Sequence, residues 1–226
     1  MSDFSQKEFS YRHIAVEGIL KCGKSELAAK LAEKIGGKLV CDRRDNPYLK
    51  EFYEEKEGSA FLAQLVFLVN RYHQQSGLLQ RDLFTERIFC DYLFEKDKIY
   101  AYQTLSDEEL QVYEKIFSIF SGKIPKPDLT LYLQITKPTL MKRISLQGER
   151  VEKSISEKYL EDLLEAFDYY FFNYQATPLL VVKADELDFN NHEVIDDLIE
   201  KMVHLKKSSL YYVPLSKGTN KPGKIK

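Results

Sequence analysis

The segment at residues 14–37, IAVEGILKCGKSELAAKLAEKIGG, constrains the fold more than any other part of the chain. It contains the pattern G-x-x-x-x-G-K-S, from Gly18 to Ser25, with an apolar stretch before it and helix-forming residues after it. A glycine turn between a strand and a helix directs backbone N–H groups and the helix N-terminus at an anion. The segment therefore predicts a loop that binds the phosphates of a nucleotide, and a chance turn before a helix is the minor alternative.

Four positions of this loop require the particular residue that they hold. We expect Gly18 to permit the turn out of the strand and Gly23 to let the backbone pass close to the phosphates. Lys24 would reach the β- and γ-phosphates of ATP, and Ser25 would ligate Mg²⁺. The residues between the two glycines need to supply only backbone donors, so the loop is complete as it stands.

Apolar and amphipathic segments alternate along the rest of the chain. The apolar stretches that predict strands lie at residues 13–16, 38–42, 87–91, 127–135 and 178–184. Helical patterns lie between and after them, one of them long and apolar (59–75) and one opened by Ser106 and Glu109 at capping-box spacing. This alternation predicts a phosphate-loop-type, three-layer α/β sandwich with a five-stranded parallel sheet and helices on both faces.

Charge divides the chain into a body and a tail. Six of the 33 Lys and Arg residues lie in residues 205–226, which hold no acid, so residues 1–204 carry 27 basic against 35 acidic side chains. We expect one domain over 1–204 and a flexible basic tail over 205–226. The net charge of -2 favours neither a nucleic-acid partner nor a membrane surface. Without a secretory leader or a long apolar run, the chain is expected in the cytoplasm.

Three segments beyond the phosphate loop carry a family resemblance. They are DNPYLKEFYEEKEGSAFLAQLVFLVNRYHQQ, PDLTLYLQITKPTLMKRI and YLEDLLEAFDYYF. Together they resemble the deoxynucleoside kinase family, and in particular its bacterial deoxyadenosine/deoxyguanosine kinase-like branch, over residues 12–185. The resemblance implies transfer of the ATP γ-phosphoryl group to the 5′-hydroxyl of a deoxynucleoside, with a purine as the expected base, Mg²⁺ as cofactor and a homodimer as the assembly.

The resemblance also implies which residues bind the nucleobase. Gln64 would hydrogen-bond the edge of the base at two points, as an amide can. Tyr100 takes the place of an aromatic residue that stacks on the base, and Asp97 is a candidate polar contact to it. Arg71 would border the same pocket. Taken singly, each of these residues is also compatible with an ordinary structural role.

The sugar and the catalytic base are assigned in the same way. Tyr53 and Glu152 match the family's ligands of the sugar 3′-hydroxyl. The reaction needs a base beside the 5′-hydroxyl, and Asp42 is the candidate. Alignment on the Asn-Pro pair at 46–47 places Cys41 at the usual position of the base and Asp42 one residue later. Asp45 is the alternative.

Two motifs of the family are altered in this chain. At the end of the third strand, Asp91 keeps the carboxylate that would orient Mg²⁺, but Tyr92 stands in place of an arginine. The lid segment (residues 143–152, RISLQGERVE) keeps Arg143 as a candidate catalytic cation, while Gln147 and Glu149 stand where arginines are expected.

Such arginines neutralise charge on the transferred phosphoryl group. Arg150 in the lid segment, Lys21 in the phosphate loop, and Arg43 and Arg44 after the second strand are candidate replacements.

Two other functions remain open from the sequence. The missing arginines would suit a nucleotide-binding sensor or partner protein with little catalysis. A nucleoside monophosphate kinase would share the fold, but an acceptor phosphate needs positive charge, and the candidate acceptor residues suit a neutral sugar. Deoxynucleoside kinase activity is the favoured interpretation.

Overall fold

The computed structural model describes residues 9–43, 45–81, 87–150, 152–205 and 209–214. Within these residues the strands are β1 (His13–Glu17), β2 (Lys38–Val40), β3 (Ile88–Cys90), β4 (Leu129–Gln134), β5 (Leu179–Lys183) and β6 (Ser209–Tyr212). The helices are α1 (Lys24–Ile35), α2 (Leu49–Tyr53), α3 (Ser59–Arg81), α4 (Lys96–Thr104), α5 (Asp107–Ser121), α6 (Lys137–Gln147), α7 (Glu157–Phe172) and α8 (His192–His204). A 3₁₀ turn, Glu152–Ser154, connects α6 to α7.

The strands form one parallel sheet in the order β2-β3-β1-β4-β5-β6. Consecutive residues of β4, from Leu129 to Leu133, are all buried, and so are Ile14 to Glu17 of β1. Because successive strand residues face opposite sides of a sheet, burial of every residue requires cover on both faces. The predicted α/β sandwich with helices on both faces is confirmed.

The predicted number of five strands is wrong, because β6 adds a sixth at the edge of the sheet. It pairs with β5 in parallel, with Leu179 opposite Ser209 and Val182 opposite Tyr212. Only Tyr212 of this strand is buried; the three residues before it are exposed. The strand lies inside the segment predicted to be a flexible tail, of which residues 206–208 and 215–226 lie outside the described residues.

Two short elements that the sequence pattern did not predict position the site. Helix α2 follows the loop after β2, and α4 begins six residues after β3 ends, so its first turn lies near the carboxyl end of the sheet. Helix α3 continues to Arg81, beyond the predicted end at residue 75. The predicted capping box is confirmed: the Ser106 hydroxyl accepts the Glu109 N–H at 3.4 Å, and the Glu109 carboxylate accepts the Ser106 N–H at 3.0 Å.

None of the helices in the described part of the chain combines the length and the hydrophobicity that a bilayer crossing needs.

Candidate active site

One cavity of about 230 Å³ opens where the phosphate loop meets the segments that follow β2 and β3. Ten of the predicted site residues line it: Lys24, Ser25, Asp42, Tyr53, Gln64, Arg71, Asp91, Asp97, Tyr100 and Glu152. They come from segments that are far apart in the sequence and meet only in the fold. The other four, Gly18, Gly23, Arg143 and Arg150, are not among the lining residues.

The phosphate loop has backbone conformations that account for its glycines. Gly23 has φ 104°, and a Cβ atom there would lie 2.3 Å from Cζ of Phe189. A Cβ atom on Gly18 would lie 2.6 Å from the carbonyl oxygen of Leu133. Both positions therefore exclude any larger residue. Lys21 also has a positive φ, of 58°, which is uncommon outside glycine.

Lys24 lies at the first position of α1 and turns back over the loop. Its Nζ atom donates to the carbonyl oxygens of Gly18 at 2.7 Å and Ile19 at 3.0 Å. It also lies 4.0 Å from Oε1 of Glu17, which is completely buried. The Glu17 carboxylate accepts the N–H groups of Gly18 at 2.8 Å and Leu93 at 2.7 Å, so it joins the start of the loop to the segment that follows β3.

A chain of hydrogen bonds connects Ser25, Asp91 and Asp42. The Ser25 hydroxyl donates to Oδ2 of Asp91, and Oδ1 of Asp91 accepts the backbone N–H of Asp42 at 2.5 Å. A hydroxyl and a carboxylate therefore meet beside the loop. Mg²⁺ in nucleotide sites takes one or two protein oxygens and completes its octahedron with phosphates and water. The Ser25–Asp91 pair fits that requirement.

The carboxylate of Asp42 is held by two cations. Oδ1 accepts from Arg71 Nε at 2.8 Å, while Oδ2 accepts from Arg71 Nη2 at 2.8 Å and from Lys96 Nζ at 2.9 Å. Burial by itself would raise the pKa of Asp42, but the attraction of Lys96 and Arg71 outweighs it and holds that pKa well below its ordinary value. Asp42 is therefore ionised at neutral pH.

Asp97 shares Arg71 with Asp42, but its pKa is shifted in the opposite direction. Its Oδ1 atom accepts from Arg71 Nη1, whereas its Oδ2 atom is buried with no hydrogen-bond partner in the described part of the chain. Burial raises the pKa of Asp97 to about 6, although Arg71 opposes the rise. Two carboxyl groups in one cavity thus have well-separated pKa values, as in sites that bind and transfer protons.

The far end of the cavity is lined by amide and aromatic side chains. Gln64 is buried, and its Nε2 atom donates to Oγ1 of Thr104 at 3.3 Å. Tyr100 packs edge-on against Phe167, with 5.8 Å between the ring centroids. Tyr53 is the last residue of α2 and lines the same cavity. This end can hold a flat, polar-edged group such as a nucleobase.

Tyr92, which stands in place of the third-strand arginine, belongs to the core. It is completely buried in a cluster with Val40, Leu78, Ile88 and Cys90. Burial raises the pKa of its hydroxyl, so the side chain stays neutral. It brings no positive charge to the cavity.

Arg143 is bound to backbone carbonyl groups. Its Nη1 atom donates to the carbonyl oxygen of Cys22 at 2.8 Å and its Nη2 atom to that of Ala184 at 2.7 Å. The guanidinium therefore joins the phosphate loop to the end of β5. This contact fixes the loop from outside the cavity.

The rest of the lid segment brings acids to the cavity. Lys21 forms an ion pair with Glu152, with 2.9 Å between Nζ and Oε2, and Glu152 also accepts the N–H of Glu149 at 2.8 Å. Glu149 lines the cavity, while Gln147 and Arg150 are exposed. Lys21 is thus paired with an acid of the lid segment, Arg43 is exposed, and Arg44 lies outside the described residues.

Lys96 and Glu17 were missed by sequence reasoning. Lys96 is 6% exposed, lines the cavity and contacts Asp42, but in the sequence EKDK nothing distinguishes it from a surface lysine. Glu17 could have been recognised from the sequence, because an acid at the end of an apolar strand and next to Gly18 must find buried donors.

The cavity lining has an excess of acidic side chains. It holds five acids, Asp42, Asp91, Asp97, Glu149 and Glu152, against three bases, Lys24, Arg71 and Lys96.

Comparison with known families and curated proteins gives a consistent result. The model of the deoxynucleoside kinase family matches residues 14–206. The deoxyguanosine kinase of Bacillus subtilis is 34% identical over 184 residues, which cover 78% of this chain and 88% of that protein. The deoxyguanosine kinase of Lactobacillus acidophilus is 29% identical over 210 residues, 86% of this chain and 92% of that protein.

Solved structures agree at the level of the fold. A deoxyadenosine kinase from M. mycoides with bound dCTP aligns with a TM-score of 0.68 and 26% identity, over 84% of this chain and 97% of that chain. The same enzyme with dCMP and dCDP as products aligns with a TM-score of 0.71 and 24% identity, over 84% and 98%. The likeness therefore extends over most of this chain and nearly all of the other.

Proposed function

Since the chain belongs to the deoxynucleoside kinase family, we propose that it transfers the γ-phosphoryl group of ATP to the 5′-hydroxyl of a purine deoxynucleoside. One observation carries the proposal. A single cavity joins the loop residues Lys24 and Ser25 to an ionised carboxylate, Asp42, and to the amide of Gln64. A phosphate donor and a nucleoside acceptor can therefore meet inside it.

The donor end is proposed to act through the loop. Gly18 and Gly23 shape the backbone around the phosphates, and Lys24 exchanges its contacts with loop carbonyl groups for contacts with the β- and γ-phosphates. Ser25 and Asp91 would hold Mg²⁺, which supplies charge neutralisation at the phosphate oxygens when it is bound. The acid-rich lining supports this need for a divalent cation with the nucleotide.

At the acceptor, we propose that Asp42 accepts the proton of the 5′-hydroxyl. Its low basicity is compatible with this role, because in a loose phosphoryl-transfer transition state the 5′-hydroxyl loses its proton only after the bond between phosphorus and the leaving group has largely broken. Tyr53 and Glu152 are proposed to hold the 3′-hydroxyl of the sugar.

The nucleobase is proposed to lie between Tyr100 and the polar edge formed by Gln64, Arg71 and Asp97. Gln64 offers one donor and one acceptor, and Oδ2 of Asp97 is a buried atom that has no hydrogen-bond partner among the described residues. Purine preference is supported by the two curated relatives named above, which are both deoxyguanosine kinases by name. Preference for one purine over the other is left to the substrate test below.

The lid arginines receive different roles in the proposal. Arg143 holds the phosphate loop in shape through Cys22 and Ala184, and a contact with the transferred phosphoryl group remains a prediction. Arg150 is exposed beside the cavity, and its contact with a phosphate remains a prediction too.

A homodimer built on the long helices is also proposed. Apolar side chains on α3 and α5 are exposed: Leu62 at 42%, Val112 at 48% and Ile119 at 57%. These helices pack against each other, with the rings of Tyr72 and Phe120 stacked at 4.1 Å. A second copy would cover this surface, and sedimentation equilibrium would show whether the protein is a dimer.

We further propose that the sheet and its helices act as a single kinase domain in the cytoplasm.

The test is direct. The purified protein is incubated with Mg-ATP and each of the four common deoxynucleosides, and the monophosphate products are separated by chromatography. We expect product from deoxyguanosine or deoxyadenosine. Absence of product from all four would overturn the proposal and would favour the alternative function, a sensor that binds nucleotide without catalysis. The monophosphate kinase alternative is disfavoured by the five acids in the lining, which would repel an acceptor phosphate.

A further inference from the structure

Lys96 occupies an unusual place for a lysine. It is the first residue of α4, is 6% exposed and lines the cavity. Burial opposes a cation, and so does the partial positive charge at a helix N-terminus. Lys98, two residues later, is half-exposed and lies 3.9 Å from Glu114 at the surface. Two lysines of one helix turn thus have opposite environments.

Nearby acids hold Lys96 in its charged form. Burial would lower the pKa of Lys96, but Asp42 and Glu17 outweigh burial and raise it. The bond from Nζ to Oδ2 of Asp42 is 2.9 Å long. Lys96 and Asp42 therefore form a buried ion pair at the cavity wall, a type of contact whose loss leaves an uncompensated charge.

The lining contains two other cations: Lys24 is bound to the phosphate loop, and Arg71 shares Asp42 with Lys96. Lys24 contacts the carbonyl groups of the phosphate loop. Arg71 uses Nε, Nη1 and Nη2 on Asp42 and Asp97. An ammonium group has three donors, and Lys96 uses one of them, on Asp42, within the described residues. Within the described residues, Lys96 thus has two donors left to offer, as many as Arg71 and one more than Lys24.

We infer that Lys96 takes over the part of the missing third-strand arginine, by fixing the Asp42 carboxylate beside the acceptor and by balancing the negative charge there. The inference rests on the proposed function, because it assigns a positioning residue to that reaction. Tyr92 stands at the arginine's position in the sequence but is buried in the core. The charge is instead supplied four residues later, from the first turn of α4.

The experiment compares Lys96→Met with Lys96→Arg and with Lys98→Met as the matched control. In Lys96→Met we expect kcat to fall about 100-fold, while KM for the deoxynucleoside and the calorimetric Kd for ATP change less than about threefold. Lys96→Arg keeps the charge and should recover most of the kcat. Lys98→Met should behave as the unaltered protein.

The split between kcat and stability separates positioning from structure. Lys96 and Arg71 are the two cations that contact the Asp42 carboxylate within the described residues. A lysine that served only the fold would, when lost, lower the unfolding free energy in urea titrations and leave the kcat of folded Lys96→Met unchanged. A positioning lysine lowers kcat in the folded protein at nearly constant KM, and Lys96→Arg restores it.

Each outcome decides between distinct claims. Unaltered protein with no turnover would overturn the proposed function and this role together. Turnover in the unaltered protein, with kcat unchanged in folded Lys96→Met, would overturn only the role of Lys96. If Lys96→Met does not fold, Lys96→Gln supplies a neutral side chain that can still hydrogen-bond Asp42, and the same two outcomes apply to it.

Discussion

The phosphate loop and the acceptor side of the cavity show two different ways of building a binding site. The loop relies on backbone: Gly23 at φ 104° and Lys21 at φ 58° set its shape, and its carbonyl groups hold Lys24. The acceptor side relies on charged side chains, with Asp42 and Asp97 sharing Arg71. A backbone site tolerates most changes of side chain, whereas a charge network changes whenever one member does.

That difference matches where the sequence departs from its family. The loop keeps every residue that its function needs, and the residues between its glycines need to supply only backbone donors. In the lid segment and at the end of β3, Gln147, Glu149 and Tyr92 replace expected cations. We therefore infer that the acceptor side relies on other charges, and the following experiments measure how far the two regions depend on each other.

The largest effect is expected from Lys24→Ala. The substitution removes the lysine that we propose to contact the phosphates, and we expect turnover to fall by about a thousandfold or more. The control is Lys34→Ala, at the last turn of the same helix, where Nζ lies 2.5 Å from Asp196 at the surface. Equal rates for the two variants would show that the loop does not handle the transferred phosphate.

Asp42→Asn should be the next most severe change. It keeps the shape of the side chain but cannot accept a proton, so we expect kcat to fall by about 100- to 1,000-fold with little change in the Kd for ATP. Asp45→Asn is the rival variant, since Asp45 is the alternative base and is exposed. A larger loss for Asp45→Asn, in steady-state assays at pH 7.5, would move the base to that residue.

Asp97 should leave a signature in the pH dependence of stability. Its pKa is raised from 3.8 to about 6 in the folded protein. Stability from this group is therefore fully present below pH 4 and is lost as the pH rises through 6, by about 3 kcal/mol in all. Asp97→Asn cannot titrate, so the difference in unfolding free energy between the two proteins should change by that amount between pH 4 and 7.5.

Urea titrations at several pH values measure this difference. The pKa of Asp42 is lowered, so its contribution is lost as the pH falls; it is present in both proteins and largely cancels in the comparison. The exposed acid Asp196 provides the control variant, Asp196→Asn. Parallel stability curves for the unaltered protein and Asp97→Asn would show that the Asp97–Arg71 pair stays ionised throughout.

The smallest effect is expected in the lid segment, and it is a gain. Glu149 adds a negative charge to the cavity that we propose to accept the phosphates. Glu149→Gln should raise kcat by about threefold and Glu149→Arg by about tenfold, because an arginine there can balance the charge on the phosphoryl group. Glu165→Gln, on the exposed face of α7, is the control. A loss of activity in Glu149→Gln would mean that this acid serves the reaction.

Sequence reasoning predicted the parts of the molecule that follow from short-range patterns. The parallel sheet follows from alternating apolar and amphipathic segments, and the phosphate loop follows from the identities of four residues. Strand β6 escaped notice because only Tyr212 faces the core while its neighbours are exposed. One buried residue in a lysine-rich segment produces no detectable period.

The charge network could be predicted only in part. Asp42, Arg71 and Asp97 were singled out through the family resemblance, but their shared contacts depend on how α3 and α4 pack. Lys96 depends on α4 beginning where it does, and that helix has no strong amphipathic pattern because its first turn, with both Lys96 and Asp97, is buried. A polar residue that is buried by tertiary packing resembles a surface residue in the sequence.

Glu17 has a consequence for the energetics of binding. Its two carboxylate oxygens hold the N–H groups of Gly18 and Leu93, so the two halves of the cavity are aligned before any nucleotide arrives. The conformational entropy of that alignment is lost when the chain folds, and it need not be lost again on association. Preorganisation of this kind leaves more of the contact energy for affinity. Glu17 does not line the cavity, so the acid at this position is required for the folded arrangement of the site and not for direct contact with a ligand.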